Sequence, residues 1–91
     1  MVSLKRLVLD VLKPHHPTAL DFGVRLAEQG AVRVTVTVQE MDEQTETLRV
    51  EIDGEDIPFD RIQAAIADFG ASLHSVDEVE VEGAGEAPPS V

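Results

Sequence analysis

The chain repeats itself at an offset of 40 residues, and no other feature constrains its fold as strongly. Aligned on their glycines, Pro17–Val36 falls on Ile57–Val76, so that Phe22 meets Ile62, Leu26 meets Ile66 and Gly30 meets Gly70. Each half reads as strand, helix, strand. Two such halves predict an α+β fold of the ferredoxin-like βαββαβ kind, with a four-stranded antiparallel sheet in the order 4-1-3-2 and two helices on one face.

Periodicity fills in the elements. A first strand is expected from about Leu4 to Leu12, with Leu7, Leu9 and Val11 on one face and Val8, Asp10 and Leu12 on the other. A helix should follow from Pro17 to about Gln29, facing the sheet with Ala19, Phe22, Gly23 and Leu26 and stopped by a left-handed Gly30. Val32, Val34, Val36 and Val38 alternate inward on the second strand, and Leu48, Val50 and Ile52 on the third. Met41–Glu46 joins those two strands as a hairpin. Phe59, Ile62, Ile66 and Phe69 stripe a second helix that Gly70 stops. In the last strand Leu73 and Val79 have one parity and Val76 the other, which predicts a bulge. Residues 1–82 read as one domain, and the segment from Gly83 to Val91, lacking apolar periodicity, as a disordered tail.

Composition excludes several chemistries. Without cysteine there are no disulfides, thiolate zinc sites, iron–sulfur clusters or cysteine nucleophiles. The net charge of −11, from 18 acids against 7 bases, repels nucleic acid and anionic membrane surfaces, so neither is expected as a partner. The acids are spread along the whole chain, as in salt-adapted halophilic proteins. All three aromatics are Phe on helices, which leaves no outward ring for stacking RNA bases. Acylphosphatase-like chemistry lacks its Asn. No apolar run reaches spanning length and no signal peptide opens the chain, so a cytoplasmic location is expected.

The antiparallel order places all three histidines at one end of the sheet. The Lys13–Pro17 loop carries His15 and His16, and the start of the last strand carries His74 and Ser75. Asp42, Glu43 and Glu46 project from the adjoining hairpin. Imidazoles with carboxylates can ligate zinc or nickel, so His15, Asp42, Glu46 and His74 form the candidate set for a divalent metal ion. No HxH or HExxH spacing reinforces it. Asp10, a carboxylate in mid-strand, reads either as a ligand or as the cross-strand partner of Arg49. Leu12 and Val8 on the outer face, with Leu20, Val24 and Ala27 on the first helix, leave apolar surface to spare, which points to a homo-oligomer.

The stretches LVLDVLKPH (Leu7–His15), VQEMDEQTE (Val38–Glu46) and LHSVDEV (Leu73–Val79) resemble a small archaeal family known as domain of unknown function 211. The resemblance covers nearly the whole chain to about Val81. It implies a ferredoxin-like fold and assembly into homo-oligomeric rings, and it implies no established activity. The shared motifs fall on Lys13, His15, Glu40, Asp42, Thr45, Glu46, His74 and Ser75, largely the histidine-bearing end. Lys13, Glu40 and Ser75 are therefore the expected contacts for a small-molecule ligand. The leading functional expectation is a non-enzymatic homo-oligomeric binding or regulatory module. One alternative is a metal-dependent enzyme with His15 and His74 as ligands and Asp10 or Asp77 as base. The other is a purely structural interaction protein.

Overall fold

The computed structural model of the protein describes residues 2–30 and 32–83. Along them run β1 (Val2–Pro14), α1 (Ala19–Ala27), β2 (Val32–Met41), β3 (Thr45–Gly54), α2 (Phe59–Asp68) and β4 (Ser72–Gly83). The sheet is antiparallel throughout, in the order β2-β3-β1-β4, which is the expected order seen from the other edge. Gly83 closes β4, and the rest of the expected tail lies outside the described residues.

Alternation decides the two faces. Leu7, Leu9 and Val11 of β1 meet Ile52, Val50 and Leu48 of β3, and all six are buried. Phe22 and Leu26 of α1, with Ile62, Ala65 and Ile66 of α2, close over the same face to form one core. Phe22 and Phe69 pack edge to face, ring centres 5.4 Å apart. The aligned pairs Phe22/Ile62 and Leu26/Ile66 thus occupy equivalent core positions.

The helix ends depart from the sequence reading. Helix α1 begins at Ala19 because Thr18 caps it, its hydroxyl accepting from the Asp21 N–H at 3.2 Å. The two aligned glycines do different jobs. Gly70 has φ +71°, and the Ala71 N–H→Ile66 and Gly70 N–H→Ala67 bonds complete a Schellman stop for α2. Gly30 does not take up a positive φ, contrary to expectation. A Cβ there would stand 3.2 Å from Cγ of Pro58, so its requirement is close approach to the turn before α2.

Strand β4 is bulged more than once. The β1–β4 register shifts between Val8 and Leu9 and again between Asp10 and Val11, leaving Asp77 and His74 as the extra residues. The shifts bring Leu73, Val76 and Val79 opposite Val11, Leu9 and Leu7, so residues spaced by three all meet the core face. Val8, expected to be exposed, is 1 % accessible. Its register partners Glu51 and Glu78 both reach the Arg6 guanidinium, at 2.8 and 2.7 Å, and this ion-pair cluster surrounds it.

Candidate functional site

The sheet itself divides the residues singled out by sequence. On β1 the core-face series Leu7-Leu9-Val11 continues to Lys13, and on β3 the series Ile52-Val50-Leu48 continues to Glu46. The two end residues are register partners. Their side chains meet at 2.8 Å, and the Lys13 side chain is completely buried. Lys13 Nζ also donates to the carbonyls of Pro14, at 2.6 Å, and Pro17. All three ammonium protons therefore have protein acceptors, and the ion pair ties the β1–α1 loop to the hairpin. The Lys13 ammonium beside it holds the Glu46 carboxyl below the usual range, against the opposing effect of burial.

His15 lies on this same side. Its Nε2–H donates to the Asp42 carbonyl at 2.6 Å, and its Nδ1 stands 3.4 Å from Glu46. The Asp42 carboxylate is occupied by its own turn, accepting from the backbone N–H groups of Thr45 at 2.9 Å and Gln44 at 3.0 Å. Those two donors lower the Asp42 pKa. This is the reason the hairpin turns where it does: an Asx-type turn closes it between Met41 and Thr45.

His74 is elsewhere. The bulge aims it to the outer face of the sheet, where its Nδ1 is 3.0 Å from Asp10 Oδ2. Arg49, the residue directly opposite Asp10 on β3, turns instead to Glu51 at 3.4 Å. The expected Asp10–Arg49 pair is thus replaced by Asp10–His74. Glu40 is also on the outer face, because a register shift after Val38 brings it opposite Thr47. Ser75, opposite Asp10, donates its hydroxyl to Asp77 at 2.7 Å.

The candidate metal set is therefore split. His15, Asp42 and Glu46 lie on the core-face side with protein partners of their own, and His74 lies across the sheet. Among the described residues no three His, Asp or Glu side chains converge as metal ligands. The candidate small-molecule contacts are split likewise, Lys13 to the core side and Glu40 and Ser75 to the outer side or its edge. What the structure does bring together on the outer face is a cavity of about 200 Å³ lined by Asp10, Leu12, Thr47 and His74. The sequence reading did not pair Lys13 with Glu46, although a signal was available in that each residue extends a core-face series. The Asp10–His74 pair carried no such signal, because a bulge breaks the alternation that would reveal it.

Two larger apolar grooves flank the helix layer at opposite sheet edges. One, about 400 Å³, lies between α1 and β2 and is lined by Leu20, Val24, Ala27, Val34 and Val36. The other, about 450 Å³, lies by β4 and the start of α2 and is lined by Leu4, Ile57, Phe59, Val76, Val79 and Val81. No helix among the described residues is long and apolar enough to cross a membrane.

Comparison with known proteins agrees with the motifs. A protein of Methanocaldococcus jannaschii, named "Uncharacterized protein MJ0319", is 41% identical over 80 residues, covering 87% of this chain and 82% of the relative. Residues 5–85 match the family DUF211, described as "Uncharacterized ArCR". With most of its length matched, and with the two-half sheet those residues build, the chain belongs to the DUF211 family.

Proposed function

We propose that the protein is a homo-oligomeric binding module whose ligand, a small molecule or a divalent cation, is held at subunit boundaries. One observation carries this reading: two apolar grooves at opposite edges, beside large aliphatic side chains that remain exposed. Leu20 is 75 % accessible, Val24 51 % and Val79 54 %. A chain this small rarely leaves so much contiguous apolar surface in water. The two grooves differ in lining and lie on opposite sides, so one copy's α1 edge would meet the next copy's β4 edge. That contact is head-to-tail, the kind that builds a ring when the rotation between successive copies closes. A second copy is favoured as occupant because the chain itself supplies both halves of the contact, with Leu20 and Val24 projecting on one side and the β4 groove receding on the other.

Sedimentation or light scattering in molar KCl tests this. A mass of several chains is expected, and Leu20→Glu with Val24→Glu should reduce it to one chain while circular dichroism stays unchanged. A wild-type monomer across the accessible concentration range overturns it.

A further inference from the structure

The geometry points to His74 as a ligand for a borderline divalent metal ion, Zn²⁺ or Ni²⁺ in kind, with Asp10 as the residue that positions it. Three observations meet at this place. The first is the bulge: His74 is the extra residue between the Asp10–Ser75 and Val11–Leu73 register pairs, so the strand departs from regular pairing just where the imidazole is aimed across to β1. The second is the pair itself. An ionised carboxylate only accepts, so at 3.0 Å from Asp10 Oδ2 the His74 Nδ1 carries the hydrogen. The lone pair of the neutral ring is then on Nε2, which has no protein partner among the described residues, on a side chain 77 % accessible. A carboxylate behind an imidazole that offers its other nitrogen is the arrangement by which proteins fix the tautomer and raise the basicity of a metal-binding histidine.

The third observation is Asp10 Oδ1, which is buried and has no hydrogen-bond partner. An unsatisfied buried oxygen is a cost that a purely structural residue would be expected to avoid. An arginine directly opposite could satisfy it, yet Arg49 is turned toward Glu51. The carboxylate's charge is left to the imidazole and to whatever occupies the adjoining cavity, where Thr47 adds a hydroxyl and Leu12 an apolar wall. Imidazole nitrogen selects zinc, nickel or copper over calcium and magnesium, which take oxygen ligands. His15 has no comparable opening, since its Nε2–H is committed to the Asp42 carbonyl.

One imidazole is a single donor, so water or the same residue of another copy completes the coordination. In that respect the inference rests on the oligomeric binding-module reading, whose ligand it names.

The experiment uses untagged wild-type protein with Zn²⁺ by calorimetry and Ni²⁺ by NMR broadening of the histidine rings, with mass measured on the same samples. Broadening is expected first at His74. His74→Gln should abolish the Zn²⁺ heat, and His15→Gln should leave it. Asp10→Asn presents an amide donor to Nδ1, which moves the ring hydrogen to Nε2; affinity should fall about 10- to 100-fold, with the altered tautomer visible in the ring ¹⁵N shifts. Equal Zn²⁺ affinity in wild type and His74→Gln, or broadening confined to His15 and His16, overturns the assignment. A monomer that still binds through His74 supports the assignment and overturns only the assembly reading.

Discussion

Lys13 and Glu46 face each other 2.8 Å apart across the two central strands, where each ends a core-face series of buried aliphatic side chains. Removing one member of such a pair strands the other charge in a low-dielectric setting, at a cost of about 3–5 kcal/mol. Lys13→Met is expected to destabilise the protein by that amount in urea or thermal unfolding. Adding Glu46→Leu should recover part of the loss and not all of it, since the Pro14 and Pro17 carbonyls lose their donor in both variants. Equal stability of the single and double variants would contradict the coupling.

Acid should unfold the protein late. Glu46, Glu51 and Asp42 are all lowered, by the Lys13 ammonium, by the Arg6 guanidinium and by the Thr45 backbone N–H respectively. A carboxyl depressed in the folded state contributes in full above its ordinary value, near 4.5 for glutamate, and loses that contribution as pH falls through the depressed one. Stability should therefore be flat from neutrality to about pH 5 and decline below 4.5. Glu46→Gln should flatten that decline, as read from urea midpoints against pH.

The aligned glycines should respond to different rescues. Gly70→Ala forces a Cβ into the left-handed region although the space around it is open, at about 1 kcal/mol. No substitution at a neighbour will relieve it. Gly30→Ala instead presses on the Pro58 ring, at 3.2 and 3.3 Å from its Cγ and Cδ. Overpacking of this kind costs about 1–3 kcal/mol, and most of it should vanish in a Pro58→Ala background. A double-mutant cycle of thermal midpoints distinguishes the two.

Arg6 gathers Glu51, Asp53 and Glu78 from the strands on either side of β1, at 2.8, 2.9 and 2.7 Å. Arg6→Gln should leave three carboxylates repelling one another over Val8. The thermal midpoint is expected to drop sharply in dilute buffer and to recover in molar salt, where the repulsion is screened. A deficit independent of salt would mean that Arg6 acts through its packing alone.

Much of the fold was legible in the chain. The paired halves gave the order of elements, and the 3-4 spacing around Phe22, Leu26, Ile62 and Ile66 gave the helix faces that meet the sheet. Alternation in β1 and β3 gave the core stripe, because a strand buried on one face must repeat with period two. The parity conflict in β4 was legible as a bulge, though not where the extra residues fall. Helix ends were less so: Pro17 suits a first turn, but the Thr18 hydroxyl, which can accept a backbone N–H, caps the helix and sets its start two residues later, at Ala19.

By itself, then, the sequence determined the two-half architecture, the aliphatic core and the end of the sheet at which the histidines collect. Those properties depend on local periodicity and on burial of apolar area, which each segment encodes alone. Only the tertiary structure decided that Lys13 and Glu46 turn inward as a pair, that His74 lies across the sheet from His15, and that Asp10 takes His74 in place of Arg49. Partners 33 and 64 residues apart in the chain decide these matters. The extra residue His74 also exchanges the faces of the side chains that follow it until the second, Asp77, restores them, and their positions depend on pairing with β1, which exists only once the sheet has formed.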